Sequence, residues 1–214
     1  MIYRQTRNAY ENQNKWMFAG VGEYQTPQLD AVQYRPKNFI GFNFVKTCKN
    51  PNSSCVHFFV DDYQFQRVWQ CPEQYVKTLA EFEAICSPDF SGYVDFPKVI
   101  RIYNHFRNHW LGAYWQAQGL RVIPTIQWGD ECDFDWCFDG DPVGSTVAIS
   151  SVGTQANEKS KAIFKKGFHE MLKRLEPTVI LLYGLIPAGC EDDRIIRIPA
   201  FQEKHRKNKG DLHV

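Results

Sequence analysis

One unit recurs along this chain: a short apolar run that stops abruptly at polar or acidic residues and gives way to a segment of helical periodicity. The runs are "FIGFNFV" (39–45), "VHFFVDD" (56–62), "AICSPDFS" (84–91), "RVIPTIQW" (121–128), "STVAISSVG" (145–153), "TVILLYG" (178–184) and "RIIRIPAF" (194–201). Helical patterns fall between several of them. Residues 71–85 start with Pro72 at a first helical position and place Tyr75, Leu79 and Phe82 on one face. Residues 94–119 have Pro97 near the start and Gly119 as a stop, and 157–175 carry a stripe containing Ala162, Phe168, Leu172 and Leu175. Strands that are apolar throughout are covered on both faces, and helical crossovers between them make the sheet parallel.

This reading predicts an α/β fold of about seven strands. The (β/α) barrel template has about eight strands and roughly 250 residues, more than the 214 available here. A compact or incomplete TIM-like barrel is therefore the first expectation, and an open doubly wound parallel sheet the alternative. Residues 1–36 are polar and lack a sustained period, which predicts an N-terminal arm laid over a single domain spanning 37–202. Residues 203–214 form a basic tail, expected to be flexible.

The formal net charge of +1 provides no global attraction to nucleic acid or membrane. The stretch "EKHRKNKG" (203–210) is the local exception and the one place where nucleic-acid phosphate is an expected partner. No apolar run approaches the roughly eighteen residues of a membrane span, and the N-terminus does not read as a signal peptide. Seven cysteines without a CxxC pair are expected to be free thiols in a reducing, cytoplasmic setting. Phosphate-loop, dinucleotide-binding and nucleophile-elbow motifs are all missing from the sequence, which argues against P-loop ATPases, dinucleotide dehydrogenases and ordinary serine hydrolases.

In either parallel architecture ligands bind at the carboxyl ends of the strands. The residues found there are Asp61 and Asp62, then Asp89, then Gln127, Trp128 and Asp130, then Ser150, and finally Tyr183. Any single aspartate is explained by helix capping. Several on one rim repel, which raises one pKa and divides them into acid and base, or lets them hold Mg²⁺ together with substrate phosphates. Asp61, Asp62, Asp89 and Asp130 are thus the expected catalytic set, with the metal content left open. In "YNHFRNHW" (103–110), Asn104 shares a helix face with Arg107 or with Asn108, and these three join Gln127, Trp128, Ser150 and Tyr183 as expected substrate-binding residues. Arg107 either clamps a phosphate or carboxylate or pairs with a rim aspartate. His105 and His109 have a metal-sharing i,i+4 spacing but no glutamate between them, so zinc is not expected. Cys132 and Cys137 read as plain thiols.

Taken together, "FVDDYQFQRVW" (59–69), "SPDFSGYVDFP" (87–97), "YNHFRNHWLGAYWQAQGLRVIPTIQWGD" (103–130), Trp136-Cys137-Phe138-Asp139-Gly140 and "GSTVAISSVG" (144–153) resemble an uncharacterised family of bacterial and phage proteins catalogued as Domain of Unknown Function 4417. The resemblance covers residues 39 to 185. It implies a phage or mobile-element origin and brings no activity with it. The family pattern has Arg-Asn-Arg where this chain has Arg107-Asn108-His109, so any ligand contact of the second arginine would be lost here.

The leading functional expectation is an enzyme, of hydrolase or glycosyl-transfer type. Its Asp-rich pocket would cleave or exchange a glycosidic or phosphoester bond in a nucleotide, nucleobase or nucleic-acid substrate. The alternative is a protein that captures a small nucleotide-like ligand, such as a host defence signal, without chemistry. A third reading puts function in the arm or the tail. The oligomeric state is left open.

Overall fold

A computed structural model of the chain describes residues 11–201 and residue 203. The basic tail beyond Glu203 lies outside them. Nine strands and four α-helices follow in chain order among the described residues: β1 (Gly20–Val21), β2 (Thr26–Pro27), β3 (Asn38–Gly41), β4 (Ser54–His57), α1 (Arg67–Gln70), α2 (Pro72–Leu79), β5 (Ala84–Cys86), α3 (Lys98–Ala117), β6 (Val122–Ile123), β7 (Thr146–Ser150), α4 (Glu158–Leu175), β8 (Val179–Tyr183) and β9 (Ile195–Ile198). The strands are shorter than the apolar runs that announced them. β3 ends inside its run at Gly41, where the chain passes into a 3-10 helix over Phe42–Thr47, and β4 ends at His57, before Phe58, Phe59 and Val60.

The fold is mixed α/β with two parallel sheets, β3-β4-β5-β6 and β7-β8-β9. Pro124 ends β6 because it has no N–H to donate. Its carbonyl still accepts from Ala148 N–H at 2.8 Å, and Ile126 N–H donates to the Ala148 carbonyl at 2.8 Å. These bonds, with a parallel bridge between Thr125 and Ala148, tie the two sheets edge to edge. No closed barrel is formed: β3 and β9 share no ladder among the described residues. The arrangement is open, in keeping with the open-sheet alternative, and its strand order is sequential.

Side-chain alternation then defines three cores. Phe39, Cys55, Cys86, Ile123, Ala148 and Leu181 meet on one inner face shared by both sheets. The residues that β4, β5 and β7 give to that face include the small Cys55, Ala84, Cys86 and Ala148, which leaves room for close packing there. On the outer side, Val56, Ile85 and Val122 pack with Trp110, Leu111 and Trp115 of α3. Val147, Ile180 and Leu182 pack with Phe164, Phe168 and Met171 of α4. The buried stripe of α4 is thus Phe164, Phe168, Met171 and Leu175. Ala162 of the expected stripe is exposed.

Both long helices end as their sequence dictates. Gly119 takes φ +84, and Leu120 N–H reaches back to the Trp115 carbonyl at 3.0 Å, a Schellman closure. Asn157 caps α4 by accepting from Ser160 N–H at 2.9 Å. The β1–β2 hairpin within the N-terminal segment had no sequence signal. Leu29, which follows it, is buried against Gly112 of α3, where a Cβ would stand 2.8 Å from it. No helix among the described residues is long and apolar enough to cross a membrane, and all seven cysteines are free thiols.

Candidate functional site

Sequential parallel strands bring all their carboxyl ends to one edge of the molecule, and the residues after those ends enclose a cavity of about 590 Å³. Asn43 and Phe44 come from the segment after β3, Asp61 and Gln64 from that after β4, and Asp89, Ser91 and Tyr93 from that after β5. Ser150, Tyr183 and Phe201 complete the ring from β7, β8 and the end of β9. A second cavity of about 290 Å³, lined by Gln127, Trp128 and Phe164, shares Asp89, Ser91, Tyr93, Ser150 and Val152 with the first. The two form one groove within the size range of small-molecule sites.

Asp89 stands in the wall common to both cavities. It is half-buried, and burial pushes its carboxyl up to about 6; the charge of Asp62 adds to the rise, and a hydrogen bond donated by Gln127 opposes it. Asp61 is exposed at the mouth of the larger cavity. Asp62 does not line either cavity. Its carboxylate accepts both the N–H of Ser91 (3.1 Å) and its hydroxyl (2.8 Å), and Asn104 Nδ2 donates to the Ser91 carbonyl at 2.6 Å. These two residues hold the loop that presents Asp89.

Four other expected site residues lie outside the groove. Arg107 is buried with its guanidinium 3.9 Å from the centre of the Phe90 ring, and it donates to Asn104 Oδ1 at 2.5 Å. It stacks on the loop as a cation–π brace, lines neither cavity and makes no ion pair among the described residues. Asn104 itself is taken up by Ser91 and Arg107. Asn108 is buried and donates to the Thr125 carbonyl at 2.9 Å, one layer beneath the groove. Asp130 caps a 3-10 helix over Glu131–Asp133 by accepting from Cys132 N–H at 3.1 Å.

Tyr183 and Trp128 are walls with their own packing. The Tyr183 hydroxyl accepts from Phe201 N–H at 2.9 Å, and its ring lies 5.2 Å from Phe59 and 4.8 Å from His57. Burial raises its phenol pKa. Trp128 packs on Phe164 at 5.2 Å and over Gly167, where a Cβ would meet the indole at 2.1 Å. Ser150 Oγ accepts from Val152 N–H at 3.2 Å.

The residues that sequence reading passed over are His57, Asn43, Gln64, Ser91 and the aromatic rim of Phe44, Tyr93 and Phe201. His57 alternates with Cys55 and Phe59 toward the inner face, so a period of two through 55, 57 and 59 was the available signal. Its Nδ1 accepts from Phe59 N–H at 3.3 Å, which places the ring proton on Nε2. Tyr93 and Phe201 are 61% and 52% exposed, and Phe44 and Phe201 stack at 5.9 Å. Among the described residues no group of three or more His, Cys, Asp or Glu side chains comes together as a metal site.

A family model described as Domain of unknown function (DUF4417) matches residues 18–202. The Gene 1 protein of Mycobacterium phage D29 is 36% identical over 199 residues, which is 91% of this chain and 73% of that relative. The Gene 1 protein of Mycobacterium phage L5 is 34% identical over 195 residues, covering 89% and 85% respectively. No solved structure matches the chain.

Proposed function

This chain belongs to the DUF4417 family, and on that premise we propose that the strand-end groove is its working site, the mouth of an incomplete (β/α) barrel. The groove performs acid–base chemistry on a glycosidic or phosphoester bond of a nucleotide, nucleobase or nucleic-acid substrate. The observation that carries the reading is Asp89, a half-buried carboxyl in the wall of an open groove, with its pKa lifted to about 6. A carboxyl so placed is protonated often enough near neutrality to act as a general acid.

In the proposed step the Asp89 proton passes to the leaving atom as its bond to carbon or phosphorus breaks. The Asp61 carboxylate takes a proton from the attacking water at the mouth. Gln127 orients Asp89, while Asp62 and Asn104 set its loop through Ser91. Tyr93, Phe44 and Phe201 offer ring faces for a planar substrate. Asp130, Arg107 and Asn108 act only through the scaffold.

The test is Asp89→Asn assayed on a panel of nucleosides, nucleotides and short oligonucleotides. Loss of one general acid lowers turnover by about 10²–10⁴-fold. Full turnover in both Asp89→Asn and Asp61→Asn would sink the catalytic reading. The aromatic rim also favours simple capture of a flat ligand. Calorimetry in which the ligand is bound tightly and recovered unchanged identifies that case.

A further inference from the structure

We infer that the groove accepts an uncharged planar ligand, a nucleoside or free nucleobase, and discriminates against its phosphorylated form. The inference rests on the groove being the working site, and it narrows the proposed chemistry there to the glycosidic bond, leaving out the phosphoester. Its basis is the chemistry of the lining. Among the described residues, the walls of the two cavities contain the carboxylates Asp61 and Asp89 and no lysine or arginine. The other polar groups are the amides and hydroxyls of residues such as Asn43, Gln64, Gln127, Ser91 and Ser150, together with the His57 imidazole, whose Nδ1 accepts from Phe59 N–H. Such groups pair with the edges of a base or with sugar hydroxyls.

The nearby guanidinium groups serve elsewhere. Arg107 lies over Phe90, and Arg101 is paired with Asp133 in the buried layer below Trp128. The start of α4, close to the smaller cavity through Ser160, is equally unsuited to a phosphate. The Ser160 N–H is already donated to the Asn157 side chain, and Glu158 places a negative charge in the first turn. In the loop before α4, Val152 N–H is bonded to Ser150 and Thr154 N–H to the Ser151 carbonyl. Among the described residues, a phosphate entering the groove would thus meet two carboxylates and no lysine or arginine side chain. An uncharged ring would meet aromatic faces and neutral polar partners.

The experiment is calorimetric titration of the full chain, tail included, at neutral pH and low salt. The probes are adenosine, guanosine, cytidine and uridine, their free bases, and the matching 5′-monophosphates with and without MgCl₂. At least one uncharged probe binds, and its monophosphate binds about tenfold or more weakly, the size expected from one unit charge facing a partly solvated carboxylate. Asp61→Asn narrows that gap, and Asp89→Asn alters binding of the uncharged probe. A monophosphate that binds as tightly as its nucleoside, in either magnesium condition, overturns the inference. If that binding responds to Asp89→Asn, the groove survives as the working site while the ligand class does not. Absence of binding by every probe overturns the inference, and the oligonucleotide turnover assay then decides the working site.

Discussion

Asp89 and Asp141 are both carboxyls whose pKa is raised by burial, and both are held by a single neutral side chain, yet their surroundings assign them opposite work. Asp89 faces an open groove. Asp141 is sealed beneath α3, 3.0 Å from His109 Nε2. The Nδ1 of His109 is 3.0 Å from the His105 carbonyl, which can only accept, so Nδ1 carries a proton. A single further proton then holds the contact with Asp141. Burial pushes His109 down to about 4 and His105 to about 3 and pushes the Asp141 carboxyl well up, so the cluster as a whole disfavours charge. His105 Nε2 in turn donates to the Asp139 carbonyl at 2.9 Å.

There is no room for a ligand in that cluster: a Cβ on Gly140 would lie 2.6 Å from the Pro27 carbonyl and 2.8 Å from the His109 ring. Its work is to latch the segment after Trp136 and the N-terminal stretch onto α3, with Leu29 N–H bonded to the Gly140 carbonyl at 2.9 Å. A perturbed pKa marks both a functional acid and a structural latch. Access separates them.

The comparison is broken most directly at the latch. His109→Ala leaves Asp141 buried without its partner and opens a void, costing about 3–5 kcal/mol in urea denaturation. Ligand affinity per folded molecule is unchanged. A loss under about 1 kcal/mol would remove the latch reading.

On the proposed function, Asp89→Asn is the opposite case, where activity is expected to fall while the fold holds. Turnover drops by about 10²–10⁴-fold, whereas stability at pH 7 rises by about 2 kcal/mol because a poorly solvated charge is removed. The sign follows from a folded pKa of about 6 against an ordinary 3.8. The folded state binds the proton more tightly, so this contribution is present below about pH 4 and lost as pH rises through 6. The difference between Asp89→Asn and the parent chain therefore vanishes near pH 4 and grows toward pH 7. The two histidines slope the other way. Their folded pKa values are depressed, so their contribution is present above 6.5 and lost as pH falls toward 4 and 3. Asp141, raised like Asp89, is present in both parent and His109→Ala, so denaturation series from pH 4 to 7, each read as the difference from the parent chain, separate Asp89 from His109 by the direction of the slope.

Gly167→Ala sharpens the wall of the groove. The new methyl would overlap the Trp128 indole and cost about 1–3 kcal/mol while displacing Trp128 from the smaller cavity. Tryptophan fluorescence reads the displacement, and an unchanged spectrum with unchanged stability would contradict it. The smallest effect is Asp130→Ala, which loses a helix cap worth about 1 kcal/mol and leaves binding and turnover at the parent level. A drop in turnover beyond what stability explains would return Asp130 to the site.

Much of the groove was legible along the chain. Asp61, Asp89, Gln127, Trp128, Ser150 and Tyr183 follow apolar runs, and a parallel strand delivers whatever follows it to the same edge. Asp130 follows the same rule and still lies outside, because Pro124 ends β6 early and the next residues turn into a capped helix. Arg107 and Asn104 were read as ligand contacts from polarity and helical spacing. Their actual partners, Phe90 and Ser91, belong to a loop more than ten residues away. His57 was hidden because it lies inside a run, 56–62, that reads as apolar up to its two terminal acids, and only the tertiary structure puts this face of β4 on a cavity.

By itself the sequence determined the element types, the parallel sheet, the caps of α3 and α4, and the edge at which polar groups collect. These depend on periodicity, proline and glycine chemistry, and short-range hydrogen bonds, all of which are written within a few residues. Only the tertiary structure decided that the sheets meet at Thr125 and Ala148 without closing, and which aspartates face solvent. It also decided that, of two helical histidines with the spacing of a metal site, His109 meets the buried Asp141 carboxyl and His105 the Asp139 carbonyl. Those outcomes depend on groups that are far apart in the chain, and on whether the space between them is open or filled.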